Sequence, residues 1–231
     1  MGIEDLGRGR PGAIRGRMLT LYDYYRSSAS YRVRIALNLK KLAYRAVPVD
    51  LAGAAHKADD YRARNPQGFV PMLEVDGHRI TQSLAIIDYL DATRPESPLL
   101  PGDPAEAAHV RALALTIACD IHPLNNLRVL KALTGELGQS EEAKTAWIAR
   151  WITEGFAALQ TLAETRAGRF LFGDAPTLAD ICLVPQIYNA RRFSVPLDDF
   201  ALLVRIDAEA TALTPFAAAH PDRVAPEDRS R

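Results

Sequence analysis

The chain has 231 residues, with 28 Lys and Arg against 28 Asp and Glu, so its formal net charge is zero. That balance gives no basis for a nucleic-acid surface or for attraction to an acidic membrane, and no apolar run reaches the roughly 18 residues that a membrane span needs. A hydrophobic content of 48% suffices for a sizeable core without a metal or a disulfide framework. The two cysteines, Cys119 and Cys182, lie in apolar, helix-like stretches with no CxxC and no histidine cluster. They read as two buried thiols in a reducing, cytoplasmic compartment, with no metal site.

Residues 1–17 contain five Gly, four Arg and no apolar segment of signal-peptide type, and read as a disordered extension. Met18–Tyr22 predicts a short strand. Ser28–Lys41 predicts a helix carrying Val33, Ala36, Leu37 and Leu39, in which Arg34 is expected to make a structural salt bridge. Arg45–Asp50 predicts a second strand, placed at a sheet edge by Pro48. Residues 57–64 read as a short helix or irregular loop. Met72–Val75 and His78–Thr81 flank Asp76-Gly77, a two-residue hairpin signal. Ser83–Thr93 predicts a helix with Leu84, Ile87 and Leu90 on one stripe.

Four prolines in residues 94–104 mark a linker. Beyond it every periodic segment is helical. Pro104–Glu136 predicts one long helix kinked near Pro123. Glu141–Arg166, Thr177–Ala190 and Arg205–Ala219 predict three more. Thr177 and Asp180 have the spacing of a capping box, and Pro185 predicts a bend inside its helix. The division expected is therefore an α/β domain over 18–96, a linker over 97–104, an all-helical domain over 105–220 and a tail over 221–231. The first domain has the order βαβαββα, which combines a parallel crossover with an antiparallel hairpin.

Chemistry concentrates in three places. Residues 25–37 run from a strand end into a helix start, with serines in the turn. A helix start offers free N–H groups and partial positive charge. A thiolate held there has its charged form favoured, and a serine hydroxyl adds a hydrogen bond to it. Taken alone, such a serine is an ordinary N-cap. The second place is Asn65-Pro-Gln-Gly-Phe-Val-Pro71. If Val70-Pro71 is cis, the turn leaves the Val70 backbone able to pair with a peptide-like ligand as an added strand does. The third is Gln82-Ser83, where the same helix-start logic gives a carboxylate site. Together they match the sulfur, the backbone and the carboxylate of glutathione.

Residues 18 to about 220 resemble the zeta-class glutathione transferases. The resemblance rests on RSSASYRVRIAL (26–37), NPQGFVP (65–71), QSLAIIDYL (82–90), CDIHPLNNLRVL (119–130) and GDAPTLADICLVPQIYNARRF (173–193). It implies a thioredoxin-like domain followed by a helical domain, glutathione as cofactor, and a homodimer. By position, Ser27 resembles the serine that hydrogen-bonds the glutathione sulfur, with Ser28 as the competing assignment. Ala29, Ser30, Tyr31 and Arg32 line the same turn. His56 falls at a polar contact, and Val70 with Pro71 at the backbone partner of the cysteinyl unit. Gln82 and Ser83 resemble the γ-glutamyl carboxylate binders, and His122, Asn126, Leu127 and Arg128 further contacts from the helical domain. Arg26 and Arg192 resemble substrate-side arginines.

Two positions depart from the family pattern: Ala29 stands where Ser-Ser-Cys is common, and His56 where glutamine is frequent. The activity implied is isomerisation of maleylacetoacetate to fumarylacetoacetate, in tyrosine and phenylalanine breakdown, by thiolate addition, rotation and elimination. Maleylpyruvate isomerisation and glutathione transfer to α-haloacids are the enzymatic alternatives. A non-catalytic binding module is the alternative of another class.

Overall fold

The computed structural model describes residues 18–224, so the readings of residues 1–17 and of the tail beyond 224 lie outside the described residues. Four strands form one mixed sheet in the order β2-β1-β3-β4. The central strand β1 (Leu19–Asp23) is buried along its whole length. It pairs in parallel with β2 (Tyr44–Pro48) and antiparallel with β3 (Met72–Val75). The hairpin partner of β3 is β4 (His78–Thr81), joined through Asp76 and Gly77 at φ 51° and 86°. Positive φ at both central residues is what a type I′ turn demands. Strand β2 lies at the edge, where Pro48 costs no ladder bond.

Helix α1 (Ser28–Leu39) returns the chain across the sheet, and α2 (Asp59–Arg62) follows a short 3-10 turn at Ala55–Lys57. Helix α3 (Ser83–Thr93) packs beside α1. Tyr22, Val49, Tyr61 and Met72 close a small cluster of their own, separate from the main core.

The segment expected as one kinked helix over 104–136 is instead broken. Helix α4 (Pro104–Leu115) starts at Asp103, whose carboxylate accepts from the amides of Ala105 and Glu106, both at 2.9 Å. Thr116–Ile121 then widens into a π turn, and His122–Asn125 tightens into a 3-10 turn. Helix α5 (Leu127–Gly135) begins afresh, with Asn126 as N-cap accepting from Arg128 N at 3.1 Å. Pro123 cannot donate to the carbonyl four residues back, and Asn126 is extended, so the chain restarts where a kink was expected.

The break also corrects the reading of Cys119. It lies in the π turn and is exposed, whereas Cys182 is fully buried and its thiol is pushed up to about 11 by that burial. Gly155 supports the π turn from the next helix, α6 (Glu141–Ala163): a Cβ there would fall 2.3 Å from Ile121 Cγ1. Gly155→Ala should therefore lower stability by about 1–3 kcal/mol in thermal unfolding, despite alanine's better helix propensity.

Helix α7 (Leu178–Arg192) carries the expected capping box with Thr177 and includes Pro185. The last expected helix, over 205–219, is two. Helix α8 (Ala201–Thr211) begins earlier, and α9 (Thr214–Ala219) starts with Pro215 in its first turn. Pro215 has no N–H for the carbonyl of Thr211, so it ends one helix and suits the start of another.

Helix α1 is packed by both halves of the protein, touching α3 from the first and α7 and α9 from the second. Arg34 forms the expected salt bridge with Asp23 at 2.8 Å, and its Nε donates to Ala219 O at 3.0 Å. Asn38 donates to Pro215 O at 2.9 Å. Among the described residues no helix is long and apolar enough to cross a membrane.

Candidate functional site

The serine turn follows the buried end of β1. Ser27 is extended, at φ −68° and ψ 119°, and its Oγ accepts from Ser30 N at 3.2 Å. A hydroxyl used as an acceptor keeps its own proton for an outside partner. Ser28 differs: it is buried, and its hydroxyl donates to Pro185 O at 3.4 Å. The first turn of α1 contains no acidic residue, so its partial positive charge is uncompensated. Arg26, Ser27 and Ala29 reach the surface of the turn, while Ser28, Ser30, Tyr31 and Arg32 are buried under it. Of the residues expected to line this turn, only the outer ones are open to a ligand directly.

The loop over 65–71 has a cis Val70-Pro71 bond, and Val70 is half-buried outside every strand ladder. Two side chains fix the loop from below. Tyr61 Oη and Asn65 Nδ2 donate to Phe69 O at 2.6 and 2.7 Å. Gly68 has φ 63°, and a Cβ there would lie 2.6 Å from His56 O. Glycine is thus what lets the His56 turn and this loop approach. His56 is half-buried, its Nδ1 has no partner, and burial lowers its pKa.

Gln82 has φ 68°, a strained value for a side-chain-bearing residue, and its Nε2 donates to Gln67 Oε1 at 2.9 Å. Ser83 opens α3, is buried, and accepts from Arg32 Nη1 at 3.4 Å. The first turn of α3 is likewise free of acidic residues.

The helical half reaches this loop through Arg128, whose guanidinium lies 5.1 Å from the Phe69 ring centroid. Asn126 caps the helix that carries Arg128, and Leu127 is exposed beside it. His122 is held neutral: burial first, and the nearby Arg32 cation second, lower its pKa to about 3.

Arg26 and Arg192 sit over Tyr25 and Phe193 at 4.9 and 5.2 Å. Neither pairs with a carboxylate among the described residues. The contrast is with Arg191, which holds Asp207 at 2.6 Å. Tyr24 and Tyr188 both lie in the field of Arg26 and Arg192, and burial raises both phenol pKa values. Sequence reasoning missed these two tyrosines. Tyr188 precedes Arg192 by four residues, so helical spacing already put them on one face.

Two helix starts, an open backbone edge and two carboxylate-free arginines suit an extended anionic peptide and a second, acidic molecule beside it. The N-terminal domain of glutathione S-transferases matches residues 17–92 and their C-terminal domain matches residues 145–222. The chain belongs to the glutathione S-transferase family, in its zeta class. It is 53% identical over 207 residues to a maleylacetoacetate isomerase of Rhizobium meliloti (strain 1021), covering 89% of this chain and 97% of that one. A holo structure of a maleylpyruvate isomerase, a bacterial zeta-class transferase, superposes with a TM-score of 0.88 at 43% identity, over 90% of this chain and 99% of that one. A maleylacetoacetate isomerase of Anaeromyxobacter dehalogenans 2CP-1, with glutathione bound in its active site, gives 0.82 at 45% identity, over 91% and 98%.

Proposed function

We propose that this protein is a glutathione-dependent isomerase that converts maleylacetoacetate to fumarylacetoacetate. The observation that carries the reading is the serine turn: Ser27 keeps a free proton at an uncompensated helix start, within a site that also holds two carboxylate-free arginines. Bound glutathione would supply a thiolate whose reversible addition makes the cis double bond single and free to rotate. The residues present fit that group. Ser27 donates to the sulfur and favours its ionised form. Ala29 leaves no protein thiol in the turn to compete. The Val70 backbone pairs with the cysteinyl unit, and Gln82 with Ser83 takes the γ-glutamyl carboxylate. His56, neutral His122, Asn126, Leu127 and Arg128 surround the peptide from both halves.

Arg26 and Arg192 hold the substrate carboxylates, with Tyr24 and Tyr188 beside them. Arg192→Ala should raise KM for the maleyl substrate about tenfold while leaving glutathione affinity intact, and Arg192→Lys should recover part of the loss. Steady-state assays varying each component separately check this.

A second reading, maleylpyruvate isomerisation, is favoured by one observation: the similar solved structures carry both names. An absorbance assay with both acids, with and without glutathione, separates the two. Activity that persists without glutathione would refute the borrowed thiol. Failure of the folded protein to be retained on immobilised glutathione would leave only the non-catalytic module, and conjugation of an α-haloacid without isomerisation would leave the transferase. We further propose a cytoplasmic homodimer working in tyrosine and phenylalanine breakdown, with units at 18–96 and 105–220. Sedimentation at micromolar concentration tests the dimer.

A further inference from the structure

Among the described residues of the N-terminal half, three basic side chains are buried. Arg34 is matched by Asp23 and two backbone carbonyls. Lys40 is matched by Asp91 at 2.8 Å and by Arg94 O at 2.7 Å. Arg32 has no such match. It is 2% exposed, its Nε and Nη2 have no hydrogen-bond partner, and no carboxylate among the described residues pairs with it. Its one hydrogen bond runs from Nη1 to Ser83 Oγ. The other groups in its field are the thiols of Cys182 and Cys119 and the imidazole of His122, which the cation disfavours protonating. A cation buried without a counter-charge is costly, and a fold keeps one where the missing charge arrives with something else.

We propose that Arg32 is a positioning residue that acts through Ser83, and that its missing counter-charge is the α-carboxylate of the γ-glutamyl unit of glutathione. This rests on the reading above that the start of α3 takes that carboxylate. Because Ser83 Oγ accepts from Arg32, its own proton is free only to point away from the guanidinium, towards the ligand. The buried charge behind it strengthens that donor and adds to the partial positive charge of α3. Arg32 therefore does not touch the ligand, although its helix carries the serine turn. One helix presents the sulfur donor at its N-cap and, about one and a half turns later, braces the carboxylate donor of another helix.

The test uses the full chain and two ligands. One is glutathione. The other is an analogue in which a 4-aminobutyryl group replaces the γ-glutamyl unit, so that only the α-carboxylate is missing. Calorimetric titration of wild type, Arg32→Met and Ser83→Ala gives six dissociation constants. Wild type is expected to lose affinity on going to the analogue. Arg32→Met should weaken glutathione by about tenfold and leave the analogue unchanged, the loss of one charge-assisted hydrogen bond. Ser83→Ala should behave alike. Equal weakening of both ligands in Arg32→Met would overturn the proposal, since a merely structural role predicts that. So would a glutathione thiol pKa that rises in Arg32→Met with no selective loss, because the cation then serves the sulfur. If Arg32→Met does not fold, Ser83→Ala carries the same comparison, and Arg32→Lys, which keeps the charge, should retain more of the preference for glutathione over the analogue than Ser83→Ala does. Failure of wild type to bind glutathione at all sinks the reading of the site itself and is distinct from these outcomes.

Discussion

Ser27→Ala should lower kcat by about a hundredfold, the loss typical of removing one donor aimed at a developing or resting anion. The hydroxyl has two jobs. It accepts from Ser30 N as an N-cap, and its proton is available to a sulfur. Loss of the cap costs about 1 kcal/mol of stability, which a chain of this size tolerates. Loss of the donor raises the pKa of the bound thiol, so less thiolate is present at neutral pH. Ultraviolet absorbance of the thiolate against pH, in the binary complex, reads this directly. Ser28→Ala should behave differently, because the Ser28 proton goes to Pro185 O across to α7. It should cost stability and only a few-fold in rate, the scale of one hydrogen bond that positions the turn. If Ser28→Ala gave the hundredfold loss and Ser27→Ala did not, the roles of the two serines would be exchanged.

Asp180→Ala should cost about 3–5 kcal/mol, enough to remove much of the stability of a domain of this size. The carboxylate is fully buried. It accepts from Leu171 N and Thr177 N, both at 2.8 Å, and from Thr177 Oγ at 3.0 Å. Alanine leaves two buried amides without an acceptor. The same group makes stability depend on pH. Burial outweighs these hydrogen bonds and raises the Asp180 pKa from 3.8 to about 6. Between those values the folded state binds the extra proton, so the contribution is complete below about pH 4 and is lost as pH rises to about 6. The loss is on the order of 3 kcal/mol. Burial raises the pKa of Asp207 as well, so the wild-type slope is a sum. The difference between wild type and Asp180→Asn in denaturant midpoints at pH 4.5 and 7 isolates Asp180. Parallel pH profiles would show that Asp180 does not titrate there.

Elements bounded by local chemistry were legible in the sequence. Met72–Val75, His78–Thr81 and Ser83–Thr93 match the structure end for end, and Asp76-Gly77 fixes the inner limits of the two strands. Thr177 with Asp180 fixed the start of α7, which runs two residues past the Ala190 expected as its end. The break after Leu115 was not legible. Apolar residues keep a helical period through Val110, Leu113, Ile117 and Ile121, and what selects a π turn is the packing of Ile121 on Gly155. Nor was Cys119 legible as exposed, since its exposure follows from that turn. The serine turn, the cis-proline loop and Gln82-Ser83 could be found as segments. The contacts that assign their protons could not, because Ser28 meets Pro185 and Arg32 meets Ser83 across 157 and 51 residues, with no local signature.

The latch between α1 and α9 sets an order of events during synthesis. Arg34 closes on Ala219, 185 residues downstream. Both halves must therefore have been synthesised before the helix that Ser27 caps can finish its packing. A nascent chain halted after the sheet has emerged carries every residue of the serine turn and the Asp23 partner of Arg34, and lacks the Pro185 and Ala219 carbonyls that brace the turn and its helix from the second half.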